Sequence, residues 1–86
     1  MAIRDYNTLA ELKELDSVTV IQLFSPISSS DAFSAYASGD HSAEIRQKLR
    51  DFLKKSDVCP SLYSTDQKLD DLAYFITTSI VNAPQF

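Results

Sequence analysis

An all-α fold, a compact bundle of four or five short helices, is what this 86-residue sequence predicts. Three observations carry that expectation. Capping-box spacing, a hydroxyl residue followed three positions later by Glu or Gln, occurs at Thr8/Glu11 and again at Ser64/Gln67. Segment 43–55 sets Ile45, Leu49, Phe52 and Leu53 at i, i+4, i+7 and i+8, a single helical stripe. Only 18–24 and 74–81 are β-prone, and pairing them as a two-stranded sheet gives the alternative, an α+β fold.

The first helix is expected at about 8–16, with Leu9, Leu12 and Leu15 on one face. The next stretch, 17–25, is rich in β-branched Val18, Thr19, Val20 and Ile21, yet Asp16 or Ser17 can cap a helix there that Pro26 would stop. Helix is favoured over strand. Ser30 caps a third helix carrying Phe33, Tyr36 and Ala37, which Gly39 ends as a left-handed residue. Asp40 or Ser42 opens 43–55, and the Ser56–Pro60 break closes it. The last helix, about 65–82, has Leu69, Leu72, Ala73, Ile76 and Ile80 as its main apolar face, with Pro84 beyond it. Tyr74, Thr78 and Val81 form a second, partly apolar face, with Phe75 on its flank.

Leu, Ile, Val and Phe supply 24 of the 86 residues, enough to fold one small domain, 1–86, around a single core. Cysteine occurs once, at Cys59, so no internal disulfide can form, which fits a reducing compartment. The N-terminal residues alternate charges with apolar groups, unlike a secretory signal, and the longest apolar-leaning run, 18–24, is too short for a bilayer. A cytoplasmic protein is expected. One histidine (His41) and one cysteine do not make a zinc ligand set, and one glycine cannot make a phosphate loop. No metal, cofactor or nucleotide is therefore expected.

His41 and Cys59 flank the 43–55 helix and would stand about 20 Å apart, too far for a nucleophile and its base. Asp66, Asp70 and Asp71 crowd the start of the last helix, where negative charge suits the helix dipole. Arg46, Arg50 and Lys54 form a basic stripe at i, i+4, i+8. Segment 41–57 carries five bases and three acids, whereas the whole chain has a net charge of −4. A surface of that overall sign repels phosphate at long range, so direct nucleic-acid binding is not expected.

Asp16-Ser17-Val18, followed by Thr19-Val20-Ile21-Gln22-Leu23, resembles the Asp-Ser-hydrophobic signature of acyl and peptidyl carrier proteins. There the serine at a helix head carries phosphopantetheine, a role the resemblance would give Ser17. The resemblance covers about nine residues. Carrier proteins place a full helix and a long loop before that serine, whereas 16 residues precede Ser17 here, so the role is not carried over.

What remains is a small, acidic, non-enzymatic protein that binds another protein, or a second copy of itself as a homodimer. It would act as an inhibitor or adaptor by occlusion, in the manner of immunity proteins, antitoxins or phage countermeasures. Its expected partner-binding residues are Arg46, Arg50, Lys54, Tyr74, Thr78 and Val81. The alternative is an acidic DNA mimic that blocks a nucleic-acid enzyme through Asp66, Asp70 and Asp71.

Overall fold

The computed structural model describes residues 5–82, and within them the chain forms five α-helices and no strand. The helices are α1 (Leu9–Leu12), α2 (Ser17–Ser28), α3 (Asp31–Ala37), α4 (Ala43–Lys55) and α5 (Asp66–Val81), with a 3₁₀ turn at Pro60–Leu62. Residues 18–24 and 74–81 are both helical, which overturns the α+β alternative. Pro84, which follows the last helix, and Phe86, an aromatic that could join Tyr74 and Phe75 at an interface, lie outside the described residues.

Each helix begins where a short polar side chain satisfies an orphan backbone N–H. Thr8 Oγ1 accepts from Glu11 N at 3.3 Å, Asp16 Oδ1 from Thr19 N at 2.8 Å, and Ser42 Oγ from Ile45 N at 3.3 Å. Ser30 does two jobs, donating to the Ile27 carbonyl at 2.6 Å and accepting from Phe33 N at 3.2 Å. It thereby ties the end of α2 to the start of α3. The cap of α5 is Thr65, which accepts from Lys68 N at 3.1 Å, one residue later than the Ser64/Gln67 spacing predicts.

Helix α1 is shorter than expected. Asp16 must be extended (φ −74°, ψ 163°) to cap α2, so the chain leaves α1 through tighter bonds, Glu14 N to Glu11 O and Leu15 N to Leu12 O. Pro26, expected to stop α2, lies inside it. A proline this near the C-terminus removes one N–H, and its cost is limited because few helical bonds follow it. The last turn is also stitched by hydroxyls: Ser29 Oγ donates to Ser25 O at 2.8 Å, and Ser28 Oγ to the same oxygen at 3.3 Å.

Two helices end in the same motif. After α3, Gly39 N donates to Tyr36 O and Asp40 N to Ala35 O, both at 3.0 Å, with Gly39 at φ 110°. After α4, Asp57 N donates to Lys54 O at 3.2 Å and Val58 N to Leu53 O at 3.0 Å, with Asp57 at φ 63°. Both are Schellman closures, which require a left-handed residue. The second folds Val58 back into the core beside Leu53.

The core is built from one stripe of each helix. Leu12, Val20, Phe24, Ile27, Leu49, Leu53, Leu69, Leu72 and Ile76 are its most deeply buried side chains, and the 3₁₀ turn adds Leu62. Helix α5 is the central element, packed on α2, α4 and the 3₁₀ turn, while α3 packs mainly on α4. Its buried line runs Leu69, Leu72, Ala73, Ile76 and then Ser79; Ile80, expected inside, is 43% exposed. Beyond Ile76 the i+3 position turns inward and the i+4 position outward, a choice made by neighbouring helices.

Candidate protein-binding face

The basic stripe of α4 meets the acids of α5. Arg46 grips Asp70 side-on, Nε to Oδ1 at 3.2 Å and Nη2 to Oδ2 at 2.9 Å. One turn on, Arg50 Nη2 reaches Asp66 Oδ1 at 2.5 Å, and its Nε donates to the Tyr63 carbonyl at 3.3 Å. Bases spaced i, i+4 on one helix thus face acids spaced i, i+4 on an antiparallel neighbour. Two of the three cations expected to meet a partner are therefore engaged inside the chain. Lys54 is exposed and makes no ion pair among the described residues.

Asp70 is shared. The Tyr36 hydroxyl donates to its Oδ1, so this carboxylate joins α3, α4 and α5. Partial burial works against its charge, yet the Tyr36 and Arg46 hydrogen bonds and the nearby guanidinium outweigh it and hold the carboxyl below the usual range. Tyr36 is pushed up to about 12, with burial the leading cause and Asp70 the next, while Arg46 opposes the shift. His41 stacks on the Tyr36 ring at 4.1 Å and 27°, and its Nε2–H donates to the Tyr36 carbonyl at 3.2 Å. The lone histidine is thereby used to close the α3–α4 loop.

Cys59 Sγ donates to Asn7 Oδ1 at 3.3 Å, pinning the segment before α1 to the loop after α4. No group of three His, Cys, Asp or Glu side chains among the described residues could hold a metal ion. Ser17 opens α2 directly behind the Asp16 cap. No described helix is long and apolar enough to cross a membrane.

The second face of α5 has a different character. Tyr74 is 74% exposed and Val81 75%, with half-buried Thr78 between them and the exposed Ile80 beside Val81 in sequence. Phe75 is turned partly inward against the core. Isolated exposed apolar residues are ordinary; several on the outer side of one helix are the raw material of an interface. Tyr74 also separates two shallow clefts. One, of about 400 Å³, is bounded by Tyr36, His41, Asp70 and Thr77, and the other, of about 340 Å³, by Leu9, Lys13, Phe75 and Thr78.

Sequence reasoning missed Asp70 and Tyr36 as the hub that holds α5 in place, and Ile80 as a surface residue. The first had a readable signal, the matched i, i+4 spacing of Arg46/Arg50 and Asp66/Asp70 on two consecutive helices. No known protein family, curated protein or solved structure was found to match the chain.

Proposed function

We propose that this chain is a non-enzymatic protein-binding module that acts by covering a surface of its partner, with the outer face of α5 as the contact. The observation that carries this reading is the exposure of Tyr74 and Val81 on the helix whose opposite side forms the centre of the core. Covering those two side chains on binding is worth about 3 kcal/mol before the costs of association. Aromatic residues set beside clefts are the kind that anchor interfaces.

The position of α5 is fixed along one flank by Arg46–Asp70 and Arg50–Asp66, so the face is presented by a braced helix. Such bracing lowers the entropic cost of binding. The two arginines serve as positioning groups in this reading, and Tyr74, Thr78 and Val81 make the contact. The DNA-mimic alternative is less favoured because Asp66 and Asp70 are each neutralised by an arginine within the chain.

Affinity capture from the cells of origin tests the proposal. The tagged wild type should retain a stoichiometric partner that Tyr74→Asp/Val81→Asp loses, while both proteins give the same helical circular dichroism. Equal capture by the folded double variant would overturn it.

A further inference from the structure

We infer that the groove between α1 and α5 receives an acidic, amphipathic helix of the partner protein. This deepens the protein-binding reading and rests on it. Two clefts, of about 360 and 340 Å³, share Leu9 and Asp71 and so run on from one another along α5. Their apolar surface comes from Leu9, Leu62 and Phe75, and Tyr74 lines the second cleft. Lys68 lines the first cleft and Lys13 the second.

Neither lysine has an ion-pair partner among the described residues, although acids outnumber bases in this chain by twelve to eight. The groove's acid, Asp71, accepts from Gln67 Nε2 at 3.0 Å. The groove is therefore net positive on a net negative molecule. An apolar floor between two unpaired cations fits a helix that sets an aliphatic stripe on Leu9, Phe75 and Tyr74 and carboxylates against Lys13 and Lys68. A second copy of the chain is a poorer occupant, since a two-fold contact through this groove sets the same lysines against each other. A phosphate backbone would leave the apolar floor without a partner.

Chemical-shift mapping of the ¹⁵N-labelled full chain tests this directly. The probe is a synthetic helical peptide of about four turns with leucines at helical spacing flanked by glutamates, compared with the same peptide carrying lysines for the glutamates. The acidic peptide should shift the amides of 9–13 and 68–78, and bind about tenfold more tightly than the basic one at low salt. Lys13→Glu/Lys68→Glu should abolish that preference. Equal affinity for the two peptides, shifts confined elsewhere, or the same amides shifting on self-association would overturn the inference. If Lys13→Glu/Lys68→Glu keeps the cellular partner that Tyr74→Asp loses, this inference falls and the binding reading stands. If Tyr74→Asp keeps it too, the binding reading itself falls.

Discussion

Arg46 and Asp70 meet through two parallel hydrogen bonds, of 3.2 and 2.9 Å, and fix the register of α4 against α5. Arg50 and Asp66 repeat the contact one turn along. Side-on arginine–carboxylate pairs are directional, so a slip of either helix would break both. With Tyr36 also donating to Asp70, three helices converge on one carboxylate.

Asp70→Asn should therefore cost stability at neutral pH, about 1–2 kcal/mol for a partly exposed two-point pair. The sign of the pH dependence follows from the lowered carboxyl. Its contribution is present above the ordinary aspartate value and is lost as pH falls through the lower folded value. Urea melts should show the gap between wild type and variant shrinking below about pH 4.

Tyr36 gives the mirror-image prediction at high pH. Its folded value of about 12 lies above the ordinary value, so its contribution is intact below about pH 10 and lost as pH rises toward the folded value. Ultraviolet titration of tyrosinate should show a late-ionising group that Tyr36→Phe removes.

Gly39 separates backbone strain from steric clash. A Cβ there meets no atom within 4 Å, yet φ is 110°. Gly39→Ala should lower stability by about 1–2 kcal/mol through the backbone alone. The helical content of the native state should not change.

Helix α1 is a four-residue turn that could not persist by itself, and Leu12 is its fully buried residue. Leu12→Ala should cost about 2–5 kcal/mol, a large share of the roughly 4–13 kcal/mol expected for a chain of this size. Amide exchange should then accelerate across residues 9–15 first.

How much of this could be read in advance depended on the range of the interaction. The caps at Thr8 and Ser30 were legible, and those at Asp16 and Ser42 as one of two neighbouring candidates each, because each bond is made within three residues of its own helix. The helix over 43–55 and the left-handed Gly39 were legible for the same reason. Pro26 misled because its effect depends on where it falls in α2 and on hydroxyls around it. The stripe of Arg46 and Arg50 was visible but not its partners, which lie 24 and 16 residues away. Ile80 and Ser79 compete for one inward position, and only packing decides between them. Of the candidate contact residues, Tyr74, Thr78 and Val81 do share the outer side of α5, whereas Arg46 and Arg50 turn inward to it.

What touches the outer face of α5 decides whether this chain is a protein-binding module. A photo-crosslinking amino acid placed at position 74, and in a control at exposed Gln47 on α4, measures that directly in living cells of origin. The prediction is one discrete protein adduct from position 74 and none from position 47. Adducts equal at both positions, or absent at 74 in a folded, expressed protein, would contradict it.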